Sequence, residues 1–168
     1  MENKILTKDL RQGRKLQIAG GEYRIIISGE ETNGTFAIIE MSVPSGAGPV
    51  PHAHPNFQET FYVLEGELNF HSEMGSYLAK KGATVSIPKG GMIHHFKNNT
   101  DQAARLLCTV VPAGLDDFFI EASEFMESVK MNPQDSINIK EAIAHISMKY
   151  GQTLLPPDYF EQLPSIKE

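Results

Sequence analysis

The sequence predicts an all-β sandwich or barrel followed by a pair of α-helices, and three observations carry that prediction. Between residues 15 and 110 the chain divides into short runs of β-formers, each only four to nine residues long. Turn residues end each run at regular spacing: Gly20-Gly21, Gly29 to Gly34, Glu65-Gly66, Lys81-Gly82, Pro88 to Gly91 and Asn98 to Asp101. Short strands so punctuated are the pattern of a sandwich or barrel. Helical periodicity begins only after Pro112.

The elements follow in order. Residues 1–14 are polar with a break at Gly13 and read as an arm that frays or packs on a partner subunit. Lys15 to Ala19, Glu22 to Ser28 and Thr35 to Val43 are expected to form an antiparallel meander. Pro44 to Pro51, with three prolines and two glycines, is a loop. Glu59 to Leu64 and Glu67 to Phe70 are joined by the two-residue link Glu65-Gly66, which predicts a tight hairpin with Val63 opposite Leu68 and Phe61 opposite Phe70. Four further strands are expected at Ser76 to Lys80, Thr84 to Ile87, Ile93 to Lys97 and Ala103 to Val110. Beyond Pro112, Leu115, Phe118, Phe119, Ala122, Met126 and Val129 form one apolar helix face. A second helix is signalled by Asn138 with Glu141 three residues on, and stops at Gly151. Leu154 to Phe160 is too proline-rich for regular structure. The whole reads as one structural domain, residues 1–112 forming the β-barrel with its arm and residues 113–168 a helical extension packed on the barrel or on a partner.

Composition narrows the function classes. At 168 residues and 40% hydrophobic, the chain can bury a core without disulfide or metal staples. A net charge of −6, from 21 acidic and 15 basic residues with no basic run, argues against nucleic acid or an anionic membrane as partner. The one cysteine, Cys108, lies in an apolar run and reads as a small buried hydrophobe, consistent with a reducing compartment. No signal-peptide core or membrane-length apolar stretch is evident, so the expected location is the cytoplasm.

Chemistry concentrates in Gly46 to Gly66. His52 and His54 share one strand face because side chains alternate with a period of two, and Glu59 follows five residues later at the head of a β run. Counting by twos from Glu59 puts Phe61 and Val63 on its side, and their partners across the predicted hairpin, Leu68 and Phe70, join them, so the carboxylate faces an apolar interior while Thr60, Tyr62 and His71 face outward. Two imidazoles and a carboxylate outline a first-row metal site. A fourth donor is available from Gly82 to Asn98, where His94, Phe96 and Asn98 share a face and His95 and Lys97 point the other way.

These two stretches resemble the motifs of the cupin superfamily, a family of double-stranded β-helix (jelly-roll) barrels. The first, Gly, five residues, His-x-His, three or four residues, Glu, six residues, Gly, is met by Gly46, His52, His54, Glu59 and Gly66. The second is met by Gly82, Pro88, Gly90 and Asn98, with three residues rather than two between Gly90 and His94. His94 is the matching ligand because its spacing to Asn98 is intact, with the extra residue placed in a bulge before it; His95 would take the role if the bulge lay after it. His71, His95 and His145 otherwise read as surface or hydrogen-bonded residues.

The resemblance implies one divalent transition metal ion (iron, manganese, nickel, copper, cobalt or zinc) on His52, His54, Glu59 and His94. Asn98 reads as a residue behind the ligands or bound to backbone, and Phe61, Phe70, Met92 and Phe96 as pocket or core. Three neutral imidazoles and one carboxylate would leave a net positive centre with positions free for substrate or dioxygen. The layout with a helical tail resembles small quercetin dioxygenase-like cupins. It implies a dioxygenase acting on a small oxygen-rich or aromatic molecule, with Glu59 as the catalytic base. A metal-dependent isomerase or lyase on a carbonyl substrate and a non-catalytic ligand-binding cupin are the other two expectations. The outward Thr60, Tyr62 and His71 with the aromatic tail predict a homodimer.

Overall fold

Burial alternates residue by residue along the strands, which is the direct consequence of a period-two backbone with one face turned to a core. In β3 (Ala37–Val43) Ala37, Ile39, Met41 and Val43 are buried, and in β10 (Ala104–Val111) Ala104, Leu106, Cys108 and Val110 are. In β5 (Gln58–Glu65) the inward set is Glu59, Phe61 and Val63. The computed structural model describes residues 5–18, 20–132 and 138–162.

Eleven strands form two sheets among the described residues. One sheet runs β1 (Arg14–Ile18), β2 (Gly21–Ile27), β3, β10, β5, β8 (Thr84–Ile87). The other runs β11 (Thr153–Leu154), β4 (His52–Ala53), β9 (His94–Lys97), β6 (Glu67–Ser72), β7 (Gly75–Lys80). All pairings are antiparallel. Their facing sides enclose one apolar core, the barrel that the punctuated β pattern predicts and the double-stranded β-helix that the cupin resemblance implies, with α1 (Leu115–Met131) and α2 (Ile139–Lys149) after the barrel. The meander of β1, β2 and β3 is present as expected.

Four local expectations are corrected. The hairpin at Glu65-Gly66 does not form: β5 pairs with β10 and β8, whereas β6 pairs with β7 and β9, so the chain crosses from one sheet to the other there. Gly66, with φ of 73°, makes the crossing against the backbone of Ala104, where a Cβ would come within 3.1 Å. Phe61 and Phe70 still meet, but face to face across the interior with ring centroids 5.3 Å apart. The extra residue before His94 lies in the loop, since β9 begins at His94 itself. Asn138 flanks α2 without a side-chain bond to the helix backbone; its amide instead bonds the Glu141 carboxylate. Finally, the proline-rich tail carries regular structure: β11, which pairs with β4, and a 3-10 turn at Tyr159–Glu161. Ala19, expected to end the first strand, lies outside the described residues.

The extension caps one mouth of the barrel. Phe119 of α1 packs edge-on against Tyr23 of β2, centroids 5.1 Å apart. Asp116, 1% exposed, accepts hydrogen bonds from the backbone N–H groups of Gly29 and Gly114, at 2.7 and 3.0 Å, which pins the start of α1 to the β2–β3 turn. Tyr150 and Lys149, after and at the end of α2, bond Glu121 of α1. No helix among the described residues is long and apolar enough to cross a membrane.

Candidate metal centre

His52 and His94 are directly paired residues of neighbouring strands, β4 and β9, so both side chains enter the interior from one sheet. Glu59 enters from β5 of the opposite sheet, and His54 from the loop after β4. All four are buried, and one donor atom of each lies within 4.8 Å of every other. His95, next to His94, takes the other face of β9 and does not join them.

Each imidazole is held by the same device. His52 Nδ1 bonds the carbonyl of Val50 at 3.0 Å, His54 Nδ1 that of Phe57 at 3.0 Å and His94 Nδ1 that of Met92 at 2.9 Å. A carbonyl oxygen can only accept, so in each ring Nδ1 carries the proton and, in the neutral ring, Nε2 presents a bare lone pair. Those lone pairs converge. His54 Nε2 stands 3.2 Å from His94 Nε2, and Glu59 Oε2 lies 2.7 and 3.2 Å from the two. A carboxylate is also acceptor-only, so the cluster is a set of acceptors aimed at one another.

Such a set is stable only around positive charge. Two ligand atoms each about 2.1 Å from one ion and at right angles are about 3 Å apart, which is the separation of the His54, His94 and Glu59 donors, with a His52 donor within 4.8 Å of each. The residues therefore fit a divalent metal ion, with nitrogen and oxygen donors suited to first-row metals and no donor that selects one of them. A proton is the alternative, and the site shows where it goes. Burial would lower the His54 pKa, but the hydrogen bond and charge of Glu59 outweigh it and raise it, while burial and the neighbouring His94 push His52 down to about 4. Burial alone would raise the Glu59 pKa; the bonds to His54 and His94 reverse this and hold the carboxyl well below its usual range. Cys108, fully buried, points its thiol at Glu59 Oε1 at 3.7 Å, and burial followed by that charge raises its pKa, so it stays a neutral thiol.

Phe57 was not visible as a site residue in the sequence, yet it fixes His54 twice, through its carbonyl and through a ring stacked at 4.1 Å. Asn98, also expected near the ligands, bonds only backbone and Thr100. Its amide donates to the carbonyls of Val43 and Gln102 at 2.9 and 2.7 Å, and its oxygen accepts from Thr100, clamping the loops at the barrel edge. Met92 contributes its carbonyl to His94. Phe61 and Phe96 line a cavity, whereas Phe70 packs against both in the core.

That cavity, about 190 Å³, lies between the barrel and its C-terminal extension. His52 and Glu59 form its polar end, and Met41, Phe61, Phe96, Leu115, Phe118 and Ile143 much of its apolar wall. Gln152 and Leu154 close it from the segment after α2, which no periodicity in the sequence marks as part of a site.

Comparison with known proteins places this geometry. A model of the cupin domain matches residues 39–110. Quercetin 2,3-dioxygenase of Bacillus subtilis is 24% identical over 108 residues, which is 64% of this chain and 32% of that protein. The chain thus spans about a third of that relative's length. An uncharacterized protein of Aquifex aeolicus is 33% identical over 91 residues, 53% of this chain and 74% of that one. Among solved structures, a polyketide cyclase from Streptomyces resistomycificus superposes with a TM-score of 0.55 at 22% identity, covering 64% of this chain and 80% of that one, a likeness of fold. The barrel, its two motifs and the domain match agree, and residues 39–110 of the chain form a cupin domain.

Proposed function

We propose that this protein is a metal-dependent cupin oxidoreductase that uses dioxygen to cleave a small oxygen-rich molecule, with His52, His54, Glu59 and His94 holding the metal. The observation that carries the reading is the convergence of three imidazoles and one carboxylate beside a largely apolar cavity that His52 and Glu59 line. The similarity to a quercetin dioxygenase supports the oxygenase form of the chemistry. A bound iron, manganese, nickel, copper or cobalt ion would supply Lewis acidity and a path for electrons between an enolate and dioxygen.

The chain's own residues do the rest. His52 and Glu59 line the cavity, so a substrate oxygen arriving there meets the donor cluster on their side. Glu59 is buried and lines the cavity, so its carboxylate stands where it could take the proton of a substrate hydroxyl. Loss of its negative charge would weaken its hold on the histidines, a cost offset by the negative charge gained on the substrate oxygen. The aromatic and aliphatic wall excludes water, and with it competing protonation of the carbanionic or enolate form.

The test is oxygen consumption by protein loaded in turn with iron, manganese, nickel, copper, cobalt and zinc, against catechols, β-diketones and hydroxy-ketones. The reading expects uptake with a redox metal, none with zinc, and loss of uptake in Glu59→Gln. Turnover of a carbonyl substrate under argon, equal with zinc and cobalt, would replace it with an isomerase or lyase.

A further inference from the structure

Glu59 has two carboxylate oxygens, and the structure gives them different neighbours. Oε2 faces the imidazoles, 2.7 Å from His54 Nε2 and 3.2 Å from His94 Nε2. Oε1 meets instead the thiol of Cys108, whose Sγ is 3.7 Å away. Strand register brings the pair together. In β10, Val110 is the direct partner of Glu59 and Cys108 that of Phe61, so Cys108 lies two residues along from Glu59's partner on the same inward face. A diagonal neighbour of that kind is within reach of a side chain as long as glutamate. The other inward residues of β10, Ala104, Leu106 and Val110, offer only hydrocarbon, and the partner of Cys108 on β3 is the fully buried Ile39. Among the described residues, Cys108 is thus the donor that reaches Oε1.

A carboxylate with a free oxygen has a choice that an imidazole lacks. It can hold an ion through one oxygen or swing to hold it through both, and the second mode fills a position that a substrate needs. An S–H bond to Oε1 opposes the swing. It draws little negative charge away from Oε2, because a thiol is a weak donor, and it keeps its proton, because a thiolate would set a second buried negative charge beside the first.

We infer that Cys108 is a positioning residue of the metal centre: its thiol holds Oε1 of Glu59 off the ion, so that the carboxylate binds through Oε2 alone and a coordination position stays open to substrate. This deepens the function proposed above and rests on its metal site, though not on its use of dioxygen.

The chain has one cysteine, so its infrared S–H stretching band has a single source. In metal-free wild type the band is expected below the frequency of a thiol dissolved in hexane, and Glu59→Gln should move it toward that reference as the acceptor loses its charge. A wild-type band at the hexane frequency, or one unmoved in Glu59→Gln, overturns the inference. Cobalt-loaded protein gives the second readout, in wild type, in Cys108→Val, which keeps the bulk and removes the donor, and in Cys108→Ala, which keeps neither, with cobalt content measured in each. The visible cobalt absorption per bound ion should fall in both variants, as it does when a second carboxylate oxygen raises the coordination number. Azide, a probe of the open position, should bind about tenfold more weakly in both. A side chain that mattered for packing alone would disturb Cys108→Ala and spare Cys108→Val; that pattern, or azide binding and a cobalt spectrum unchanged in both variants, overturns the inference while leaving the metal site standing. Should neither variant fold, the wild-type infrared band decides. Wild-type protein that takes up no cobalt overturns the proposed function and this inference with it, whereas bound metal without oxygen consumption overturns the proposed reaction alone.

Discussion

His94 and His95 are neighbours in one strand, yet they enter two different chemistries, and the comparison shows what makes a histidine a ligand here. On the inner face, His94 joins His52, His54 and Glu59, every Nδ1 committed to a carbonyl and every Nε2 aimed at one point. On the outer face, His95 lies over His71 of β6 with centroids 4.9 Å apart, and Phe160 from the tail stacks on it at 5.3 Å. Burial, then the neighbouring cation Lys97 at His71 and the His71 ring at His95, lowers both outer pKa values, and Ser76 Oγ bonds His71 Nδ1 at 2.8 Å. Ring proximity is the same on both sides. What differs is the buried carboxylate and the carbonyl under each ring, which together turn a packed pair into an acceptor cluster that wants a cation.

The contrast can be broken at graded cost. Phe61→Ala, on the inner face where Phe61, Phe70 and Phe96 meet at 5.3 to 5.6 Å, should lower unfolding free energy by about 3–5 kcal/mol, whereas Phe160→Ala on the outer face should cost about 0.5–1.5 kcal/mol. Chemical denaturation of both would read the difference, and equal losses would mean that the outer stack is as much a core as the inner one. Next comes pH. Without metal the raised His54 pKa keeps a proton between His54 and Glu59, which metal must displace, while His52 with its pKa of about 4 has none to lose. Affinity should thus rise with pH, by up to about tenfold per unit, until pH passes the raised His54 value, and then flatten. Calorimetric titration in buffers of different ionisation enthalpy should find roughly one proton released below that point; affinity independent of pH there would contradict the proton assigned between His54 and Glu59. The smallest effect is at Gln152→Leu, which removes an unpartnered buried donor and should leave thermal stability unchanged or raise it by about 1 kcal/mol.

Much of this was legible in the sequence because it depends on strand parity and motif spacing, which are local. Parity within strands placed Glu59, Phe61 and Val63 inward and separated His94 from His95, whereas Leu68, Phe70 and His71 were placed through a hairpin that does not form, and their faces come out as expected because β6 alternates on its own. Sheet membership was not legible. Glu65-Gly66 has the composition of a hairpin turn, but β5 and β6 find their partners in β10, β8, β7 and β9, and that choice is made by the whole barrel. The site's far wall was hidden for a similar reason: β11 is two residues long between Gly151 and Pro156, too short for any period, and it exists because β4 offers it an edge. Asn98 was read as lying behind the ligands or as bound to backbone; its amide donates to two loop carbonyls and its oxygen accepts from Thr100, contacts that depend on how the loops fold around it. Covering of the outward Thr60, Tyr62 and His71 was expected from a second subunit; at His71 Phe160 of the same chain lies nearby, and the homodimer stands as a separate proposal for light scattering to decide.

The most direct measurement is metal content and ligand set in three proteins, wild type, His94→Ala and His95→Ala, by elemental analysis with X-ray absorption at the metal edge. The account predicts one first-row ion per chain coordinated by imidazole and carboxylate in wild type and in His95→Ala, and loss of most of that ion in His94→Ala. An ion retained in His94→Ala, or lost in His95→Ala alone, would contradict it.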